Sequence, residues 1–134
     1  LEKNANFTIQ NSQINRNTAA YGGGVSANTA STVDMNGTES EISENVAANL
    51  GGGVNIDNAN TVFTLNEGSL AQNSARNGGG VFASDYAQCL MTGGFITQNS
   101  AINNGWENFK EYRTKKRWRD FYRGLLLPIS SRCY

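Results

Sequence analysis

Ile42-Ser43-Glu44-Asn45-Val46-Ala47-Ala48-Asn49-Leu50-Gly51-Gly52-Gly53-Val54-Asn55-Ile56 is the middle copy of a pattern that returns along the chain. Its Gly-Gly-Gly-Val occurs as Gly22, Gly23, Gly24 and Val25, as Gly51, Gly52, Gly53 and Val54, and as Gly78, Gly79, Gly80 and Val81. Its opening, an aliphatic residue, two variable residues, Asn, one residue and Ala, occurs as Ile14-Asn17-Ala19, Ile42-Asn45-Ala47, Leu70-Asn73-Ala75 and Ile96-Asn99-Ala101. The asparagines lie 28, 28 and 26 residues apart. A fixed period of this length marks stacked supersecondary units, each too small to bury its own apolar face.

Outward from these motifs, apolar residues sit two apart: Phe7 and Ile9, Val33 and Met35, Phe63 and Leu65, Cys89 and Met91. Val25 with Ala27, Val54 with Ile56 and Val81 with Ala83 do the same after each glycine triplet. Period-two alternation puts such residues on one face of a strand. With the strand at Ile14 and its equivalents, each unit offers three short strands and no helical period. Stacked in register, every strand gains a neighbour. The expected fold is all-β, a right-handed parallel β-helix of about four coils, right-handed because parallel crossovers are. Its interior is columns of like residues: Phe7, Val33, Phe63, Cys89; Ile9, Met35, Leu65, Met91; Ile14, Ile42, Leu70, Ile96; and Val25, Val54, Val81.

Asn17, Asn45, Asn73 and Asn99 form a further column, and an amide both donates and accepts, so identical amides can link into a ladder. The alanines are expected at a tight corner. The glycine triplets are expected at sharp bends with positive φ or close backbone approach. Length variation falls in polar segments such as 36–40, where a turn absorbs it.

These Gly-Gly-Gly-Val and Ile-x-x-Asn motifs resemble the repeats of polymorphic outer membrane proteins and related bacterial adhesin or autotransporter passenger regions, over residues 5 to about 105. The chain has Ile or Leu where that pattern has Phe before Asn. The resemblance implies export, an extracellular or outer-membrane-associated location, and an adhesive or structural role. The implied partners are a surface ligand such as a host protein or glycan, and neighbouring coils of a longer protein. It implies no enzymatic activity and no cofactor. The alternative is an accessory part of a carbohydrate-active β-helix protein, of polysaccharide lyase or hydrolase type, since the fold hosts both.

The chemistry-bearing residues are sparse. The chain has no histidine and two cysteines, Cys89 and Cys133, which excludes a disulfide framework and His-based catalytic pairs. The triplets run into Val and not Gly-Lys-Ser/Thr, so they are not phosphate loops. Of the acids, only Glu39, Glu41 and Glu44 are close in sequence, no other coil has aligned partners, and they read as solvated charge. Cys89, aligned with Phe63, reads as a buried structural thiol.

A boundary falls at 104/105. Residues 1–104 form the repeat domain with net charge about −5, and residues 105–134 a tail of about +5. In the tail Trp118, Phe121, Tyr122, Leu125 and Leu126 follow a helical stripe, ended by Pro128. Three readings stand for it: an amphipathic helix capping the last coil, a basic helix on a membrane or nucleic acid, or an out-of-frame segment without defined fold. Nucleic acid is not the expected partner, and membrane contact through the tail is the lesser reading. The chain reads as a piece of a longer protein whose export signal lies elsewhere.

Overall fold

The computed structural model describes residues 1–102 and 131–133. It is an all-β parallel solenoid of about three turns, with no helix among the described residues. The first circuit contains β1 (Asn6–Gln10), β2 (Gln13–Asn15), β3 (Thr18–Tyr21) and β4 (Val25–Asn28). The second contains β5 (Thr32–Asn36), β6 (Glu41–Ser43), β7 (Val46–Leu50) and β8 (Val54–Asp57). The third contains β9 (Val62–Leu65), β10 (Ser69–Ala71), β11 (Ser74–Asn77) and β12 (Val81–Ala83). A partial circuit follows, β13 (Gln88–Met91), β14 (Phe95–Thr97) and β15 (Ser100–Ala101), and then β16 (Ser131–Cys133). Where the repeat count suggests four coils, the described residues complete three and supply three strands of the next.

Corresponding strands stack into four sheets, ordered β1-β5-β9-β13-β16, β14-β10-β6-β2, β15-β11-β7-β3 and β12-β8-β4. All pairings are parallel except that of β16, which runs antiparallel to β13 and sets Cys133 opposite Cys89 in the register. The repeat unit therefore has four strands, not three. The Asn-x-Ala segment is itself a strand in β3, β7, β11 and β15. The alanine column lies within this third sheet instead of at a corner, because the bend comes just before the asparagine. Its members stay small and inward, with Ala47 and Ala75 buried.

The registers reproduce the expected columns residue for residue: Phe7 with Val33, Phe63 and Cys89, Ile9 with Met35, Leu65 and Met91, and Ile14 with Ile42, Leu70 and Ile96. Val25, Val54 and Val81 stack likewise, next to Ala27, Ile56 and Ala83. Val33, Met35, Ile42, Phe63, Leu65 and Leu70 have no exposed surface. Gln10 faces Asn36 while Gln13 faces Glu41, so two extra residues enter between them. A turn closed by the Ser40 amide on the Gly37 carbonyl takes them up without disturbing either strand. The stripe at Trp118, Phe121, Tyr122, Leu125 and Leu126, and the boundary at 104/105, lie outside the described residues.

Candidate functional site

The repeated corner between the second and third sheets is the most highly built feature of the molecule. In each coil the residue before the asparagine is left-handed: Arg16 (φ 56°), Glu44 (φ 55°), Gln72 (φ 56°) and Gln98 (φ 55°). That conformation costs an L-residue roughly 1–2 kcal/mol, and here none of the four is glycine. What holds it is the asparagine that follows. The backbone N–H and side-chain Nδ2 of Asn17 both donate to Oδ1 of Asn45, at 3.0 Å each. Asn45 makes the same pair of bonds to Asn73, and Asn73 to Asn99. The second Nδ2 proton of Asn45, Asn73 and Asn99 goes to the carbonyl of Ile14, Ile42 and Leu70 respectively, one coil back. Each internal amide thus saturates its polar capacity inside the wall, which is what permits Asn45 and Asn73 to be fully buried.

The glycine triplets turn the next corner. Gly22, Gly51 and Gly78 have φ of 58°, 63° and 62°. The middle glycines answer a different demand: a Cβ on Gly52 would lie 2.3 Å from the Gly79 carbonyl oxygen and 2.5 Å from that of Ser74. The corner therefore presses against the next coil's backbone, and its amides bond there, Gly52 N–H to the Gly78 carbonyl at 3.0 Å. In the first two triplets every glycine amide is bonded to the next coil, from Gly22 through Gly24 and from Gly51 through Gly53, so neither is an open cradle of N–H groups for a phosphate.

The remaining polar groups are spent largely between coils. On the outer face of the first sheet, Thr32 donates to Asn6, Asn66 to Asn36, and Thr92 to Asn66. Glu67 accepts from the Gly37 amide, and Asp57 from Ser84 and the Asn58 amide. Arg16 pairs with Glu44 at 3.0 Å on the surface. The guanidinium is held above its ordinary pKa, first by this hydrogen bond and then by the carboxylate's charge. Of the three acids close in sequence, Glu44 is thereby committed to Arg16, while Glu41 stands in register between Gln13 and Ser69. Among the described residues no group of three or more His, Cys, Asp or Glu side chains could hold a metal ion. Cys89 is buried in the core. The Asn55 Oδ1 on the fourth sheet is buried with no hydrogen-bond partner among the described residues.

The left-handed column Arg16, Glu44, Gln72 and Gln98 escapes a reading by residue type, because backbone geometry and not side-chain identity is repeated there. Its trace in the sequence is positional: always the residue before the ladder asparagine. No family model, curated protein or solved structure matches the chain.

Proposed function

We propose that the chain is a scaffold segment of a secreted or surface-displayed β-solenoid protein, with an adhesin-like role and no catalytic one. One observation supports this most: three of the body's acids and the buried asparagines hold coil to coil, and the described acids do not converge on one site. Glu44, Glu67, Asp57 and the asparagine ladder each have a partner in a neighbouring coil or turn. The side chains that remain available are dispersed over the outer wall, with Tyr21 exposed on β3, Phe95 on β14 and Tyr86 in the turn between β12 and β13. Such a wall suits a broad, shallow contact with a host protein or a glycan. The resemblance to polymorphic outer membrane protein and autotransporter repeats belongs to the same proposal, as does display at the cell surface.

The discriminating experiment incubates the purified chain with a panel of acidic polysaccharides, with and without calcium, and in parallel measures retention on immobilised glycans and extracellular proteins. Saturable retention without turnover is the expected result. Calcium-dependent release of unsaturated oligosaccharides overturns the scaffold reading and favours a carbohydrate-active one.

A further inference from the structure

The chain contains two cysteines, and the fold brings them to one place. Cys89 is the fourth member of an inward column whose other members are Phe7, Val33 and Phe63, and it has no exposed surface. The strand beyond it in the first sheet is not another parallel rung. It is β16, which runs antiparallel and pairs Met91 with Ser131, Leu90 with Arg132 and Cys89 with Cys133. Cysteine thus occurs at the one position of the column whose register partner is the chain's other cysteine.

The backbone bonds to β9 fix the kind of pair this is. The Gln88 N–H donates to the Thr61 carbonyl at 2.8 Å and the Thr92 N–H to that of Leu65 at 2.9 Å. Along a strand the backbone groups of alternate residues face the same neighbour, so Leu90 also faces β9, and Cys89 and Met91 turn their N–H and C=O to β16. Cys89 and Cys133 are therefore a hydrogen-bonded antiparallel pair, a geometry that sets Cα atoms about 5.5 Å apart. Disulfides span roughly 4.4–6.8 Å between Cα atoms and are commonest near this value. Directly opposed residues share one face of a sheet, so the register places Cys133 on the inner face that Cys89 occupies.

We propose that Cys89 and Cys133 are a covalent modification site, joined by a cross-strand disulfide that staples β16 to β13. The thiolate of one cysteine attacks a sulfur of a disulfide oxidant such as glutathione disulfide, expelling one thiolate and leaving a mixed disulfide. The thiolate of the other then attacks the protein sulfur of that mixed disulfide and expels the second. The two cysteine thiols lose two protons and two electrons, and the oxidant leaves as two thiols. The bond closes a loop of 45 residues, from 89 to 133, and so restricts the unfolded chain more than the folded one. It also fixes an antiparallel strand where a further parallel rung of the first sheet would otherwise stack. That the bond is made in the cell rests on the surface display proposed above, since disulfides persist in oxidising compartments. Its formation by the purified chain depends on the register alone.

The test equilibrates the 134-residue chain with mixtures of reduced and oxidised glutathione, folded in buffer and unfolded in concentrated urea. Acid quenching and mass spectrometry of the peptides give the fraction carrying the Cys89–Cys133 bond. The expected result is an intramolecular bond whose effective concentration is about tenfold or more higher in the folded chain than in urea. The oxidised chain then unfolds at a urea midpoint about 1 M or more above that of the reduced one, and Cys133→Ser, which leaves the core residue Cys89 in place, abolishes this response to reductant. Cys133→Ser combined with Arg132→Cys moves the thiol one register position, to the other face of the strand, and is expected to lose the folded-state advantage. Equal effective concentrations in buffer and urea overturn the proposal, as does a moved cysteine that pairs as well as the native one. So does a bond whose formation abolishes the β-sheet circular dichroism. Each of these failures strikes the pairing and leaves the display reading standing, which retention on glycans and extracellular proteins tests separately.

Discussion

Replacing Asn73 by alanine removes a side chain with four hydrogen bonds at a position with no exposed surface. Its Oδ1 accepts from the Asn45 amide and from one Asn45 Nδ2 proton, neither of which has another acceptor among the described residues. Its Nδ2 caps the Ile42 carbonyl and shares the Asn99 oxygen. After truncation the Asn99 oxygen keeps the Asn73 backbone amide, so that acceptor remains satisfied. The Asn45 N–H, the Asn45 Nδ2 proton and the Ile42 carbonyl do not. A buried polar group left unsatisfied costs about 1–3 kcal/mol, and partial relaxation brings the three together to roughly 3–5 kcal/mol. That is a large share of the 5–15 kcal/mol typical of a folded domain. Asn17→Ala is the internal reference. It sits at the open end, is exposed, and loses one side-chain bond to Asn45, costing about 0.5–1.5 kcal/mol. Urea unfolding followed by far-ultraviolet circular dichroism measures both, with slopes compared to check that the unfolded states match. If Asn73→Ala lies within about 1 kcal/mol of Asn17→Ala, the ladder does not hold the corner and the reasoning fails.

Gly52→Ala introduces a Cβ 2.3 Å from the Gly79 oxygen, and since that atom is backbone the coils themselves must separate; the chain is expected to lose about 3 kcal/mol or more, or to be recovered unfolded, as read by thermal melting. Gln72→Val puts a β-branched residue at φ 56° and is expected to cost about 1–3 kcal/mol, whereas Gln72→Gly stays within about 1 kcal/mol of the parent, the relief of strain and the loss of chain entropy opposing each other. Phe63→Ala, between Val33 and Cys89 in the central column, is expected to cost about 3–5 kcal/mol in the same urea titration. Arg16→Gln breaks an exposed ion pair, and its urea midpoint is expected to match that of the parent at both low and high salt.

The strand registers were legible because two signals agree. Period-two alternation fixes which face of Phe63 and Leu65 looks inward, and the 28-residue recurrence fixes which residue stacks on which. A slip of one residue would expose every core side chain, so the pattern admits no near alternative. The asparagine ladder was legible for a similar reason, since four identical amides at one repeat position have few other uses in a wall. The fourth strand was not. In Val46-Ala47-Ala48 and Ser74-Ala75-Arg76 the inward residue is a single small alanine, too weak an apolar signal to separate a strand from a turn. The left-handed residues were hidden because Arg, Glu and Gln are not the types expected there. Their conformation is imposed by the tertiary bonds of the next residue and not by local preference. The polar partners of Glu67 and Asp57 were hidden too, being contacts across coils that composition cannot assign.

The left-handed corner has an evolutionary and metrical consequence. Because the shape of that bend is set by main-chain torsion and by the amide behind it, the side chain at its apex does not shape the bend; Arg16 and Glu44 pair with each other there, at the surface. Four successive coils place an arginine, a carboxylate and two carboxamides at the same apex, all exposed. They form a straight row graduated at the coil spacing, about 4.8 Å. Chemistry can be rewritten one graduation at a time while the ruler beneath it keeps its length.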